Sequence, residues 1–575
     1  MRSQPYYQEN FLRKARRTLM KLTVSLIALT GFLVLSATTA TAATHYVSQN
    51  GGGFSGGSAC NGQSTMSVGA SNGTTYGAGD VVYLCGVIGT SVNFNGSGSS
   101  GNPVTLKFDS GARISVPFCN TVCLTLGNSS WVVVDGGTAC GPGSSCSVSE
   151  TANRSGYPAN ITGMIEATAA GSPPLANQIQ VTRGITSSGS NIEIKNLIIR
   201  NLYQHTTFSD TTGSSDDSTG WGVINCTGCS LHDSTMHDMA CPFCKLAGPN
   251  GSFFNIYQNY FDRYNWGIGE GSDPNMTATD WYIHDNHFGS TANWDEANNN
   301  YHHNHIIIQN GSDSPGAVFT RFFIYNNLFD GQVGANNTGI IFWDHGPVTN
   351  TWVYNNVFNN YGNTNPVSNA VQQGSAGAGS SINVLNNTFI DAIGSNAAVQ
   401  GCLIVQGTGQ LIENNLFNYC QQFVYFQYGT GTSTIPRPKV MDYNLYGNSS
   451  NTSHVFTSDG NGFFPTLALW QKFTGLEAHS VYKSSGVGVN NDASLQSSSM
   501  AINTGANLSS LCAQDANLQA LCFDTSAGGI RTPTQRPASG GWTIGAFNAG
   551  GSGGASGAPP PNRPAPPTNL GATIN

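Results

Sequence analysis

Charge is scarce in this sequence: Asp, Glu, Lys and Arg together make up 9% of 575 residues, with only 22 Lys and Arg. Chains this poor in charge lack the i,i+4 ion pairs and long polar faces of helical bundles. Long apolar runs are missing too. The one candidate, Leu22–Leu35, has 14 residues, which is short for a membrane span. With Lys21 before it and small residues ending at Ala43 after it, the run reads as an export signal over residues 1–43. Met20-Lys21 would make an ordinary signal start. Removing Met1–Ala42 leaves 16 basic and 29 acidic residues, a net charge near −13. No basic stripe remains to meet phosphates, which argues against nucleic acid as a partner. A polyanionic ligand would be repelled at long range unless calcium or a local basic pocket intervened.

What is abundant is Gly, 71 residues, with Asn, Ser and Thr supplying most of the polarity. All fourteen Cys follow the signal, an even number that in an exported chain reads as disulfides between neighbouring coils. Cys226-x2-Cys229 and Cys241-x2-Cys244 also match the spacing of a structural zinc site, the alternative reading. These features predict a secreted or cell-surface β-protein with no stable membrane anchor once the signal is removed, acting as a monomer.

A phrase recurs from Ile256 to Tyr446: an apolar residue, any residue, two Asn-like residues, any residue, an aromatic. It reads Ile256-Tyr-Gln-Asn-Tyr-Phe261, Ile283-His-Asp-Asn-His-Phe288 and Ile324-Tyr-Asn-Asn-Leu-Phe329, and continues to Met441-Asp-Tyr-Asn-Leu-Tyr446. Its second Asn falls at 259, 286, 327, 356, 387, 415 and 444, in steps of 27, 41, 29, 31, 28 and 29 residues. Such a period marks a solenoid. Two polar residues inside a β pattern break the strand, and Asn tolerates the left-handed backbone a tight bend needs. Stacked coils would then bond equivalent Asn amides in a ladder and stack equivalent Phe rings. Further apolar strands precede most phrases, such as Trp266-Gly-Ile268, Ile306-Ile-Ile308 and Leu403-Ile-Val405. The predicted fold class is all-β: a right-handed parallel β-helix with three short strands per coil over 44–446. Residues 447–550 are expected to form final coils and a cap, and 551–575 a Gly/Ser/Pro-rich tail.

With this phrase, the opening Tyr46-Val-Ser-Gln-Asn50 and Gly79-Asp-Val-Val-Tyr-Leu-Cys85, and the closing Leu469-Trp-Gln-Lys-Phe-Thr-Gly475 and Trp542-Thr-Ile-Gly-Ala-Phe547, the chain resembles exported bacterial pectate-lyase-like parallel β-helix proteins. The resemblance spans roughly 44–550 and implies the fold far better than the reaction, since lyases, hydrolases, esterases, epimerases and adhesins share it. The Arg-rich string associated with pectate lyases is missing, as are the Asn-Thr-Asp and Gly-His-Gly strings of polygalacturonases. Where the resemblance implies His-His-Asp-Gly-Ile-His, positions 304, 305 and 307 are Asn, His and Ile.

Candidate chemistry sits where the repeat is interrupted. The 41-residue step carries Trp294-Asp-Glu296 and the loop His302-His303-Asn304-His305, whose imidazoles suit a metal or a general base. Aligning Ile268, Ile308 and Phe342 puts Glu270, Asn310 and Asp344 in one column, with His345, Asp273 and Asp313 close by. Two acids two coils apart fit an acid/base pair. Lys245, Arg263 and Arg321 are the basic residues of the middle coils. The second position of the phrase holds His232, Tyr257, His284, Tyr325 and Tyr354, an expected outward ladder of rings for stacking on sugars. The sequence therefore points to a carbohydrate-active enzyme, a polysaccharide lyase or glycoside hydrolase, acting on an extracellular polysaccharide. Its expected catalytic residues are Glu270, Asp344, His303 and His305, and its expected substrate contacts the five rings with Trp294 and His345. Calcium is the cofactor it leaves open. The alternative is a non-catalytic, adhesin-like solenoid that binds carbohydrate through the rings.

Overall fold

The computed structural model describes residues 41–117, 119, 122–142, 144, 163–168, 183–202, 218–270, 275–291, 303–309, 317–331, 340–344, 348–359, 370–373, 381–390, 401–428, 433, 435–449 and 454–548. The chain divides into two units, Met1–Ala43 and Thr44–Asn575. Residues 1–40 of the expected signal and the tail 551–575 lie outside the described residues.

Among the described residues, the second unit is built mainly of β-strands in three long, largely parallel sheets of 18, 13 and 13 strands. The chain visits them in rotation. Asn255–Tyr257 lies in the first sheet, Tyr260–Tyr264 in the second and Trp266–Glu270 in the third, and the next coil repeats the order with Thr277–His284, His287–Phe288 and Asn304–Gln309. Each strand pairs in parallel with its counterpart one coil on, as in Ile256↔Ile283↔Ile324↔Val353↔Val384↔Ile412↔Met441. This is the winding of a β-helix, with one continuous apolar core inside.

The recurring phrase forms the bend between the first and second sheets, and its two polar residues have different tasks. The first takes the left-handed backbone: Asp233, Gln258, Asp285, Asn326, Asn355, Asn386, Asn414 and Tyr443 all have φ between 50° and 58°. The second turns inward and bonds to the next coil. Asn259 Nδ2 donates to Asn286 Oδ1 at 3.0 Å, and the same bond follows at 3.0–3.1 Å through 327, 356, 387, 415 and 444. Each amide also donates to a carbonyl of the preceding coil and accepts a backbone N–H, so these fully buried groups are satisfied. Beyond the bend, Phe288, Phe329, Phe358, Phe389 and Phe417 stack at 4.7–4.8 Å, one ring per coil.

Both ends of the stack are closed. At the start, Asn50–Gly53 pairs antiparallel with Ser64–Ser67. At the far end, Phe456–Ser458 pairs antiparallel with Gly462–Phe464, and the helix Leu467–Thr474 packs Trp470 on Phe456 and Phe426. These reversals occupy the outer edges of the strands they pair with, edges that could otherwise recruit another strand.

The rest of the C-terminal region departs from the expected cap. Residues 485–548 run back along the flank of the solenoid as a strap held by the first polar residues of the bends. Asn414 Nδ2 donates to Ala506 O at 2.8 Å, and Asn355 Nδ2 to Ala520 O and Phe523 O at 3.0 and 2.9 Å. Gly528 N donates to Asn326 O at 2.8 Å, and Ser526 Oγ bonds Asp285. Beneath the strap, Leu508, Cys512, Leu518, Leu521 and Trp542 form a second apolar cluster with Phe323, Tyr325, Tyr354 and Leu385.

Six disulfides lie among the described residues: 60–85, 119–123, 226–229, 241–244, 402–420 and 512–522. Cys226, Cys229, Cys241 and Cys244 thus pair locally, which removes the zinc alternative at these residues. They also do not bridge coils, contrary to expectation: the two residues of each pair, three apart in the chain, have Cα atoms 6.2 and 6.0 Å apart, within disulfide reach.

Candidate functional site

The third sheet carries the candidate acids. Glu270 ends the strand Trp266–Glu270 and Asp344 ends Ile341–Asp344, with Asn304–Gln309 between them. The register differs from the expected column. Ile268 pairs with Ile306, and Ile306 with Ile341, so Glu270 aligns with Ile308 and Trp343, while Asp344 pairs with Gln309. Runs of consecutive apolar residues such as Ile306-Ile307-Ile308 carry no alternation from which to read a register, so the sequence alignment slipped. Two inter-strand steps and one residue along the chain place the two Cα atoms about 10 Å apart. The side chains of Glu270 and Asp344, and residues Trp294, His302, Asn310, His345, Asp273 and Asp313, lie outside the described residues.

On the coil before Glu270, its register partner is Lys245. Lys245 is 1% exposed and donates its ammonium protons to the carbonyls of Ala247 and Gly248, the latter at 2.8 Å. A buried cation held by two carbonyls thus stands beside the strand end that carries Glu270. The other basic residues of the middle coils are bound elsewhere. Arg263 forks onto Asp238 at 2.8 and 3.0 Å on the second sheet and also meets Asp262. Burial would raise the Asp238 carboxyl, but the His237 imidazole and then the Arg263 guanidinium hold it far below the usual range. Arg321 bonds Asp280 at 2.6 Å on the first sheet.

The structure buries both described histidines of the His302-His303-Asn304-His305 loop. His303 is fully buried, with Nδ1 2.8 Å from Asn265 Oδ1. His305 is 1% exposed, bonded through Nδ1 to the Tyr264 hydroxyl and packed against Phe288 and Phe329. Burial first, and then His303 and His287, push its pKa down to about 3, so it is neutral at physiological pH. Neither matches the expected surface base: the loop delivers both into the interior, where the His305 ring packs against the aromatic stack.

The ring ladder also differs from expectation. His232, Tyr257, His284, Tyr325 and Tyr354 do align, with centroids 4.6–5.1 Å apart and planes within 8°. Rings stacked face to face along the solenoid axis have already spent their faces on one another. His232, His284, Tyr325 and Tyr354 are buried, and the Tyr354 hydroxyl donates to Asn517 O of the strap at 3.1 Å. These residues hold coils and strap together and offer no open face to a sugar.

One polar row was not anticipated from the sequence. Val405 pairs with Phe426, and Phe426 with Ser458, in the third sheet. Gln406, Gln427 and Asp459 follow these strands directly, on the same side of the sheet as Asp344. Gln406 Nε2 donates to Gln427 Oε1 at 2.5 Å, Asp459 accepts from the Tyr425 hydroxyl at 2.5 Å, and its second oxygen accepts from Tyr428 N at 2.8 Å. Tyr425, Gln427, Tyr428 and Asp459 are half-buried. The only sequence signal was an apolar strand followed at once by Gln or Asp.

No family model matches the chain, and no curated protein matches it. Among solved structures it aligns with pectate lyase Pel9A at 14% identity, over 88% of this chain and 97% of that one, with a TM-score of 0.31. It aligns with the PL6 family polysaccharide lyase Pedsa3628 from Pseudopedobacter saltans at 12% identity, over 74% and 92%, with a TM-score of 0.32. Likenesses this low say nothing of the reaction.

Proposed function

We propose that this protein is an exported carbohydrate-active enzyme that cleaves an extracellular polysaccharide along the outer edge of the third sheet, with Glu270 and Asp344 as its acid/base pair. The observation that carries this reading is their placement: two acids at the same ends of strands in one parallel sheet, separated by a single strand. Their Cα atoms stand about 10 Å apart and one residue out of register, and an inverting acid/base pair works with its carboxyl groups about 6.5–9.5 Å apart around a water. Lys245, in register with Glu270 one coil earlier, places a buried positive charge beside the strand end that carries it. The adhesin-like alternative drew on an open ring ladder, and the burial of those rings favours the enzyme.

The test is a polysaccharide panel incubated with the mature protein, with and without calcium. Both unsaturated-product absorbance and new reducing ends are followed. Absorbance identifies a lyase, and reducing ends without absorbance identify a hydrolase. Binding across the panel with neither product would sink the enzymatic reading.

A further inference from the structure

We infer that the Cys512–Cys522 disulfide is a redox-sensitive latch. Its reduction frees residues 508–523 of the strap and uncovers the ring flank, while the coils beneath stay wound. The first observation is a difference in exposure. In the other five described disulfides every cysteine is 5% exposed or less. Cys512 is 7% exposed and Cys522 is half-buried, so among these bridges it is the one within reach of a dissolved thiol.

The second observation is what the bridge encloses. It joins the helix Ser509–Gln514 to the 3₁₀ turn Ala516–Cys522 across a sequence separation of 10. The contacts that hold the strap over the rings fall on this short loop and its last neighbour. The Tyr282 hydroxyl donates to Asn517 Oδ1 at 3.0 Å, and the Tyr354 hydroxyl to Asn517 O at 3.1 Å. Asn355 Nδ2 donates to Ala520 O and Phe523 O, and Leu518 and Leu521 pack with Phe323, Tyr325 and Tyr354. A covalently closed loop keeps these groups in one arrangement even when the segment lifts, so less entropy is lost when it docks again.

The segment is flanked by anchors that do not need the bridge. Before it, Ala506 O accepts from Asn414. After it, Ser526 bonds Asp285, and Arg536, 3% exposed, donates to Thr543 O and Gly545 O at 3.0 and 2.9 Å. Opening is thereby confined to the stretch between them. Neither cysteine lies in any of the three sheets, so the winding of the coils does not depend on the bond.

The reductant is a low-molecular-weight dithiol. One of its thiolates attacks the Cys522 sulfur, the S–S bond breaks, and Cys512 leaves as a thiolate and takes up a proton. The second thiolate of the dithiol then displaces Cys522 from the mixed disulfide. Two electrons and two protons pass to the protein, and the dithiol departs as a cyclic disulfide. Oxidising surroundings run the exchange backwards and close the strap.

The full-length protein in buffers of graded reduced and oxidised dithiothreitol tests this. Three readouts are followed: cysteine alkylation mapped by mass spectrometry, limited proteolysis between 505 and 525, and far-UV circular dichroism. Cys512 and Cys522 are expected to be alkylated first. Cleavage in the segment should then rise about tenfold with the dichroism unchanged, and oxidised dithiothreitol should reverse it. The Cys512→Ser/Cys522→Ser double variant is expected to be cut at the reduced rate in every buffer. Earlier alkylation of another pair would overturn the inference, and so would a segment that stays protected once Cys512 and Cys522 are reduced. Loss of dichroism together with that reduction would overturn it too, because the coils would then depend on the bridge.

Discussion

Asn444 Nδ2 donates to Glu477 Oε2 at 3.2 Å, where a further coil would have supplied the next Asn. Glu477 also accepts from the Tyr446 and Ser480 hydroxyls, and it is 1% exposed with a left-handed backbone, φ 66°. Seven amides point their donors the same way along the core, and this carboxyl group receives the last of them.

Burial, more than its hydrogen bonds, sets the ionisation of Glu477. Its pKa is pushed up to about 7 from 4.5, with nearby Asp442 adding to the rise. An acid with a raised folded pKa stabilises the fold fully below about pH 4.5. That contribution is lost as pH rises to about 7, because the unfolded chain ionises first; at 1.36 kcal/mol per unit the loss is about 3 kcal/mol. Glu477→Gln should therefore unfold at a nearly constant temperature between pH 5 and 8 while the wild type falls. Parallel curves for the two proteins would show that this carboxyl is not the source.

Asn356→Ala is expected to be far more costly than a surface change. It leaves the Nδ2 group and backbone N–H of Asn327, the Ile324 carbonyl and the Asn387 Oδ1 without this partner inside the core. At about 1–3 kcal/mol for each group left unsatisfied, a loss above about 4 kcal/mol should appear in denaturant unfolding. A loss below 1 kcal/mol would mean that the coils rearrange to replace it.

Asn355→Gly, one residue away, keeps the left-handed bend and should act on the strap alone. It removes the amide that bonds Ala520 and Phe523 and meets Arg536. Limited proteolysis should cut between 505 and 535 sooner than in the wild type, with about 1–3 kcal/mol lost. Equal cleavage rates would show that the apolar contacts under the strap suffice.

For the proposed active site, Glu270→Gln and Asp344→Asn should each lower turnover by about 10²–10⁴-fold at unchanged thermal stability. Unaltered turnover in both variants would remove the acid/base assignment.

Tyr325→Leu should lower the unfolding temperature without changing retardation by any polysaccharide in affinity electrophoresis, since the ring is stacked between His284 and Tyr354. Lost retardation in a folded Tyr325→Leu protein would return the ladder to ligand binding.

Much of the winding was legible because the bend constrains residue type at each position: a left-handed residue, then a small amide that reaches both neighbouring coils. That reading is strongest at Asn327 or Asn356, where both conditions fall on Asn. The third sheet was harder to read. Ile306-Ile307-Ile308 is apolar throughout, so its register could slip, and with it the partner of Glu270. The fate of His303 and His305 was hidden because a loop rich in His looks alike whether it faces water or core; what decides is Tyr264, 41 residues upstream of His305. The burial of the ring ladder depended on residues 508–542, which carry no trace of the repeat and declare no partner in the sequence.

The strap has a consequence for the order of events during synthesis. Ser526 bonds Asp285 across 241 residues, and Gly528 bonds Asn326. A stack of coils joined only to their neighbours can build from one end as the chain emerges. Here the flank of the middle coils stays open, with Phe323, Tyr325 and Tyr354 uncovered, until nearly the last residues arrive. Completion is therefore a late, long-range closure, slow by the rules that link folding speed to sequence separation. A chain truncated before residue 500 would wind its coils and keep that aromatic flank sticky.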